Sequence, residues 1–303
     1  MHPSIVVGAF RLASSLARAV PERVADAAAF AIGGALGSIP GERHRIVERN
    51  VRRALGPALS GRELRRTVRE VYRSYARYYI ESFRLPGTPT SIVAERFQVE
   101  GYEHVERALS SGKGVILALP HLGGWEWAAF WLTQVQHLQV TAVAEALEPP
   151  ELFEWFTDLR HELGMHIIPL GPGAGSEVMK AINDGHVVCL LCDRFLAGAS
   201  VEVEFFGEHT LLPAGPATLA LRTGATLLPV AVYFRGDGHL GVVREPIDTT
   251  RTARLRDDVA RVTQVLANEL EALIRVAPEQ WHLLQPNWPS DYELLGRTPP
   301  VGS

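Results

Sequence analysis

Short apolar segments alternate with helical segments from Phe97 onward in this 303-residue chain. Gly114–Leu119, Val140–Ala144, Val187–Cys192 and Thr226–Phe234 are almost entirely apolar, and each is short for a helix. Segments of this kind form strands that are buried on both faces, as in parallel sheets covered by helices. We therefore predict an α/β fold with a mostly parallel central sheet flanked by helices on both faces.

The part of the chain before this alternation is predicted to form amino-terminal amphipathic helices. The periodicity places them over residues 3–37 with a break at Pro21, over 42–55 and over 61–84.

A cluster of helix breakers follows these helices, because Leu85–Pro89 contains two prolines and one glycine. We place a subdomain boundary there. Residues 1–85 are expected to form membrane-facing helices and residues 86–303 the α/β core, the two together making one integrated catalytic domain.

Charge is unevenly distributed along the chain. Met1 to Arg84 contain 15 Arg and no Lys against 7 acidic residues, so that this part carries +8. Because the whole chain has a net charge of −4, the remainder carries −12. A basic amino-terminal surface suits anionic phospholipid headgroups or nucleic acid. We expect peripheral contact with an anionic membrane and no nucleic-acid partner, because no nucleic-acid recognition motif is present.

The helix predicted over 61–84 carries an aromatic face. Tyr72, Tyr75, Tyr79 and Phe83 recur at helical spacing among several arginines. Two interpretations stay open: the aromatic face packs on the protein core, or the helix lies in a membrane interface. The longest uncharged stretch nearby, Ala27 to Gly41, is 15 residues and shorter than the roughly 18 that suggest a membrane span.

The two cysteines, Cys189 and Cys192, lie in a predicted buried strand. Residues three apart on a strand point to opposite faces, so we expect two core thiols and no redox pair. One such pair lacks the ligands of a zinc site. We expect no metal.

Functional side chains follow three of the predicted strands. In open α/β sheets ligands bind at the carboxyl ends of strands, which directs attention to Pro120–Glu126, Glu145 and Asp193–Arg194. His121 leaves its strand next to two glycines and is suited to accept a proton near neutral pH. A carboxylate on the far ring nitrogen would orient it. Both Glu126 and Asp193 are candidates for that acid.

At these residues the sequence resembles the glycerolipid acyltransferase superfamily, whose HX4(D/E) motif is matched by His121–Glu126. The form HLGGWE is similar to the branch that contains lipid A late acyltransferases and phosphatidylinositol mannoside acyltransferases. The matching segments are Asp193–Arg194, Val201–Gly207, Gly215–Ala217 and Gln280–Trp288. The resemblance extends from about Arg96 to Trp288.

The resemblance implies transfer of a fatty acyl chain from acyl-CoA, a co-substrate, to a hydroxyl of a membrane glycolipid such as the mannose of phosphatidylinositol mannoside. No cofactor is expected. The implied place is the cytoplasmic face of the plasma membrane. The expected catalytic residues are His121, Glu126 and Asp193, and the expected substrate-binding residues are Glu145, Arg160, Arg194, Gly123 and Trp125.

Two further expectations concern the helix after the motif. Backbone N–H groups near Gly123–Trp125 are expected to hold an oxyanion. Trp127, Phe130 and Trp131 either line an acyl groove or form an ordinary core face.

Alternative functions remain open at this point. A lipid A-type or lysophospholipid acyltransferase and an acyl-CoA thioesterase would use the same histidine. A nucleotide enzyme is suggested only by Gly171–Gly175, which matches neither a dinucleotide fingerprint nor a P-loop. A serine hydrolase would require a GxSxG elbow, which the sequence lacks.

Overall fold

A computed structural model describes residues 3–145 and 149–300. The helices of this part are α1 (Pro3–Ala19), α2 (Glu22–Leu36), α3 (Glu42–Leu55), α4 (Gly61–Arg84), α5 (Thr90–Arg96), α6 (Tyr102–Ser110), α7 (Trp125–Gln134), α8 (Pro150–Glu162), α9 (Ala174–Asn183), α10 (Gly215–Thr223), α11 (Leu255–Val276) and α12 (Pro289–Leu294). The strands are β1 (Phe97–Glu100), β2 (Val115–Leu119), β3 (Val140–Ala144), β4 (Met165–Pro169), β5 (Val187–Leu191), β6 (Ser200–Phe205), β7 (Glu208–Pro213), β8 (Thr226–Arg235) and β9 (Gly238–Val243).

Seven of these strands form the central sheet, in the order β1-β9-β8-β2-β5-β3-β4. All neighbouring pairs are parallel except β8 and β9, which form an antiparallel hairpin. The mostly parallel α/β sheet predicted from the apolar segments is confirmed. A separate antiparallel hairpin, β6–β7, carries the Val201–Gly207 segment.

Side chains of the central strands alternate between two cores, one on each face of the sheet. On β2, Ile116 and Ala118 pack towards α9, α10 and α11, whereas Val115, Leu117 and Leu119 pack towards α7 and α8. All five are at most 5% exposed. A strand buried on both faces needs an apolar side chain at every position, which is why the sequence lacks a polar alternation.

The four amino-terminal helices lie where the periodicity predicts them, with the break at Pro21. The aromatic face of α4 packs inwards: Tyr72 and Phe83 are at most 8% exposed. Of the two interpretations of this face, the packed one is therefore correct. Among the described residues no helix is both long and apolar enough to cross a membrane.

Strand β9 was not predicted, because its sequence contains two glycines, which disfavour strands. The structure gives both a reason. A Cβ on Gly238 would lie 2.4 Å from the carbonyl oxygen of Arg96, and one on Gly241 would lie 2.9 Å from the ring of Phe97. The glycines allow the edge strand β1 to pack closely beside β9.

Both cysteines are free and buried, as predicted. Burial raises the pKa of Cys189 to about 12 and that of Cys192 well above its usual range. Thiols held in the neutral form are poor nucleophiles, so neither is suited to catalysis.

Candidate active site

Three neighbouring strands end at the same edge of the sheet, and each is followed by a charged or titratable side chain. His121 follows β2, Asp193 follows β5 and Glu145 follows β3. Because β5 lies between β2 and β3, these residues converge. The N–H of Cys192 donates to the carbonyl of Leu119 at 2.9 Å, which extends the ladder between β2 and β5 to the point where His121 and Asp193 leave the sheet.

Two glycines shape the loop that follows His121. Gly123 has a positive φ of 58°, and a Cβ there would lie 1.8 Å from the carbonyl oxygen of Val232 on β8. A Cβ on Gly124 would lie 2.6 Å from Nε2 of the buried His239. Both glycines therefore permit close packing of the loop on β8 and β9.

His121 and Asp193 form a direct hydrogen bond, with 2.5 Å between His121 Nδ1 and Asp193 Oδ1. The Asp193 side chain is completely buried, whereas that of His121 is 31% exposed. Since a carboxylate only accepts, Nδ1 carries the proton and Nε2 of the neutral ring is left as the basic atom. The acid in contact with His121 is therefore Asp193 and not Glu126.

Asp193 is held as a carboxylate. Burial favours its neutral form, but the charge and hydrogen bond of His121 and the indole N–H of Trp281 outweigh burial, so the pKa of Asp193 lies below its ordinary value. The Trp281 indole donates to Asp193 Oδ2 at 2.7 Å. Both oxygens of this buried carboxylate thus have a partner.

Glu126 lies in a second polar cluster beside the first. Its carboxylate accepts hydrogen bonds from Tyr78 Oη at 2.7 Å and from Arg160 Nη2 at 3.0 Å. Burial lowers the pKa of Arg160, but Glu126 and Tyr78 outweigh this effect and raise it. Burial, together with Glu126, raises the pKa of Tyr78 well above its usual range, so the phenol remains a donor. The catalytic role predicted for Glu126 stays a prediction. Its contacts suit a group that positions Arg160.

A third polar pair lies at the exit of β3. Arg194 Nη2 donates to Glu145 Oε2 at 2.5 Å, with the carboxylate side chain 41% exposed. Both residues, like Arg160, line the same cavity as His121. The substrate-binding roles predicted for these three residues stay predictions, but the fold brings them together around one space.

That cavity has a volume of about 410 Å³. Its lining includes the polar side chains of His121, Glu145, Arg160, Arg194 and His282, together with Gly123 and Trp125. Much of the remaining wall is apolar and comes from the strands and from α9 and α10, including Ala142, Ile167, Val178, Leu190 and Leu219. A volume of this size is within the roughly 300–1,000 Å³ of small-molecule sites.

Among the described residues that line this cavity, α7 contributes Trp125 but not Trp127, Phe130 or Trp131. Trp127 stacks on His239 with ring centroids 4.4 Å apart, and Trp131 packs on Phe97 and Tyr102. Phe130 is 6% exposed and lies in the core. The acyl-groove interpretation of these residues is wrong, and the core interpretation is correct. The apolar wall instead comes from residues whose sequence pattern is that of ordinary core positions.

Several cavity residues were not singled out from the sequence. Tyr75 and Tyr79 of α4, whose spacing indicated only an aromatic helix face, line the cavity, and so does Tyr78, which is not part of that pattern. His282 also lines it and contacts Ser74, with 2.8 Å between His282 Nε2 and Ser74 Oγ. His282 and Trp281 could have been found from the sequence, because both lie in the Gln280–Trp288 segment that matches the acyltransferase family.

His282 is a neutral imidazole. Burial, and secondarily the positive charge of His121, lower its pKa from 6.5 to about 3. In the unfolded chain the same imidazole takes up a proton as the pH falls below 6.5, whereas the folded protein resists protonation until about pH 3.

Replacing His282 with Gln should therefore make the free energy of unfolding less sensitive to pH between 6.5 and about 3. The wild type loses stability as the pH falls through this window, by at most about 1.4 kcal/mol per pH unit for one proton. Urea unfolding across the window measures the difference. His209→Gln is the matched control, because the His209 side chain is 72% exposed. Equal slopes for the wild type and His282→Gln would contradict the expectation.

Comparison with known proteins places this site in a family. Residues 3–290 match the family described as bacterial lipid A biosynthesis acyltransferase. A phosphatidylinositol mannoside acyltransferase of Mycolicibacterium smegmatis is 39% identical over 281 residues, which cover 91% of this chain and 89% of that protein. The protein of the same name from Mycobacterium tuberculosis H37Rv is 42% identical over 223 residues, covering 72% of this chain and 69% of that protein.

A more distant relative comes from the lipid A branch. A lipid A biosynthesis acyltransferase of Haemophilus influenzae is 27% identical over 192 residues, which cover 62% of this chain and 57% of that protein. The family match spans both polar clusters and the residues that line the cavity. The chain therefore belongs to the bacterial lipid A biosynthesis acyltransferase family and is an O-acyltransferase that acts on a glycolipid.

Proposed function

We propose that the enzyme transfers a fatty acyl group from acyl-CoA to a mannose hydroxyl of phosphatidylinositol mannoside. The observation that carries the proposal is that His121, hydrogen-bonded to the buried Asp193, lines a largely apolar cavity. The names of the two mycobacterial relatives support the choice of acceptor.

In the proposed mechanism His121 is the general base. Nε2 removes the proton from the sugar hydroxyl as its oxygen attacks the thioester carbonyl, and Asp193 stabilises the imidazolium that forms. The tetrahedral intermediate then collapses, the C–S bond breaks, and the imidazolium returns the proton to the CoA thiolate. The neutral cysteines fit this direct transfer, which requires no acyl-enzyme.

The oxyanion is assigned to the amino terminus of α7. The N–H of Gly123, one of the expected donors, donates instead to the carbonyl of Gln280 at 3.0 Å. The first N–H groups of a helix have no intrahelical acceptor, and the helix dipole favours negative charge there. Gly124 and Trp125 are therefore the donors we propose.

The donor's acyl chain is assigned to the apolar wall of the cavity. Leu219 on α10 and Val178 on α9 lie on one side of the sheet, and Ala142 and Ile167 belong to β3 and β4. Burial of methylene groups there supplies about 0.8 kcal/mol per CH₂.

The acceptor is assigned to the charged part of the lining, which consists of Glu145, Arg160 and Arg194. Arg160 Nε and Arg194 Nε are buried and lack a hydrogen-bond partner within the described ranges. Guanidinium groups with unused donors suit sugar hydroxyls and a lipid phosphate.

We also propose that α1 and α2 bind the membrane peripherally, at the cytoplasmic face of the plasma membrane. Seven large apolar side chains from α1 to the residues just after α2 are 49–61% exposed: Leu12, Leu16, Val24, Phe30, Ile32, Leu36 and Ile39. The exposed arginines Arg11 and Arg23 lie on the same two helices. Apolar side chains with basic neighbours suit an anionic lipid interface.

The first test is a transfer assay with radiolabelled palmitoyl-CoA. It offers phosphatidylinositol mannosides, a lysophospholipid and a lipid A precursor in parallel. Label should enter the mannoside lipid, and His121→Ala should lower turnover by at least about 10²–10⁴-fold. His166→Ala, at an exposed position, is the control. Label in another lipid would mean that this lipid, and not the mannoside, is the acceptor. CoA release without transfer would indicate a thioesterase, and near-normal turnover in His121→Ala would remove the proposed base.

The second test concerns the acyl cavity. Leu219→Phe should lower the rate with long acyl-CoA donors relative to short ones by roughly 10-fold, because the larger ring fills space that a long chain requires. The control is Phe130→Leu, a core change on α7 away from the cavity. A shift in chain-length preference in the control, or none in Leu219→Phe, would remove the assignment.

The third test concerns the membrane. The double variant Leu12→Gln/Leu16→Gln should bind anionic phospholipid vesicles at least about 10-fold more weakly, because two exposed leucines lose their apolar burial. Sedimentation with the vesicles measures this binding, and added salt should weaken it further. The matched control is Val265→Gln/Val276→Gln, which changes two exposed apolar residues on α11. Equal loss of binding in both would exclude α1 as the contact.

A further inference from the structure

One short segment near the carboxyl end, Gln280–His282, is hydrogen-bonded to the backbone of the loop that carries His121. Leu122 and Trp281 form an antiparallel bridge. The N–H of Gly123 donates to the carbonyl of Gln280 at 3.0 Å, and the N–H of His282 donates to the carbonyl of His121 at 2.7 Å. Any change in this segment is therefore transmitted directly to the loop that carries His121.

The same segment places an indole against the carboxylate on the other side of the pair. Trp281 is 3% exposed, and its Nε1–H donates to Asp193 Oδ2 at 2.7 Å. Its ring is fixed by other aromatic rings: the centroid of Phe206 is 5.3 Å away, and Trp288 lies edge-on at 6.3 Å. The indole therefore has one orientation, and that orientation aims its N–H at Asp193.

Asp193 depends on this contact because its side chain is short and completely buried. Oδ1 binds His121 and Oδ2 binds Trp281. Asn287 Nδ2 donates to the backbone carbonyl of Asp193 at 3.2 Å, which fixes the main chain but leaves the side-chain torsion free. The indole, together with the main-chain N–H of His121, opposes rotation of the carboxylate away from His121.

We infer that Trp281 is a positioning residue for acyl transfer: its indole N–H fixes the plane of the Asp193 carboxylate and thereby sets the basicity of the His121–Asp193 pair. This inference rests on the catalytic roles proposed for His121 and Asp193. Trp281 does not line the cavity among the described residues, so it acts through Asp193 and not on substrate.

Loss of the N–H has two consequences with defined signs. The carboxylate keeps its hydrogen bond to His121 but is less well oriented, which lowers kcat. A carboxylate that has lost a donor also attracts the proton of the pair more strongly, so the imidazolium persists to higher pH. The acid limb of the kcat/KM profile therefore moves to higher pH. The KM for acyl-CoA stays unchanged.

Other titratable groups close to the pair are the same in every variant of the test. His282 and Cys192 both interact electrostatically with Asp193. The guanidinium of Arg194, next in the chain, is paired with Glu145. A difference between variants at residue 281 therefore does not arise from a change in these neighbouring groups.

The decisive comparison is Trp281→Phe against Trp288→Phe. Trp288 is a matched control, because it is completely buried in the same aromatic cluster, and its indole N–H donates to the carbonyl of Phe205 at 3.0 Å, away from Asp193. We expect Trp281→Phe to lower kcat roughly 10- to 100-fold, as for loss of a buried hydrogen bond to a charge. We also expect its acid limb to move to higher pH, and Trp288→Phe to keep the wild-type profile.

A second replacement removes only the N–H. Trp281→β-(3-benzothienyl)alanine keeps the bicyclic shape and has sulfur where the indole has nitrogen, so it decides the question if Trp281→Phe fails to fold. A wild-type acid limb in the benzothienyl protein would overturn the inference, as would the same shift in Trp288→Phe. Failure of the catalytic role proposed for His121 is distinct, because His121→Ala would then retain transfer.

Discussion

The site is organised around one buried negative charge. Asp193 has no exposed surface, and a carboxylate removed from water is tolerated only where its lone pairs find partners. The imidazole arrives from the adjacent strand β2 and the indole from a segment almost 90 residues further along the chain. The order of the sheet and the return of the carboxyl-terminal segment to the catalytic loop are both needed to place these two donors. The geometry of the His121–Asp193 pair therefore depends on contacts between residues that are distant in sequence.

Much of the fold follows from local sequence. The apolar strands and the breakers between elements were predictable, because a strand buried on both faces has a composition that few other structures need. The convergence of His121, Asp193 and Glu145 was also predictable, since each follows a strand of one parallel sheet. Which of the two acids, Glu126 or Asp193, contacts His121 was not predictable. It depends on β2 and β5 being neighbours, and a strand order is a property of the whole sheet.

The predictions that the sequence left open or made wrongly have a common physical cause. A core residue and a residue lining an apolar cavity have the same composition, so Leu219 and Trp127 could not be told apart by sequence. The aromatic face of α4 was ambiguous for the same reason, because packing on protein and packing on lipid both reward apolar area. The role inferred for Trp281 could not be predicted from the sequence, since it depends on a single hydrogen bond to a residue distant along the chain.

Phe10 on α1 has a further significance. Its ring packs against Tyr79 of α4 at 6.2 Å and against Phe156 of α8 at 5.6 Å, and both of those rings line the catalytic cavity. The helix with the exposed leucines is thus also the layer that supports the cavity wall. If α1 binds the membrane as proposed, an unrelated lipid anchor in its place would supply the attachment but not the ring of Phe10 behind Tyr79 and Phe156. Attachment and the shape of the cavity wall would then depend on the same helix.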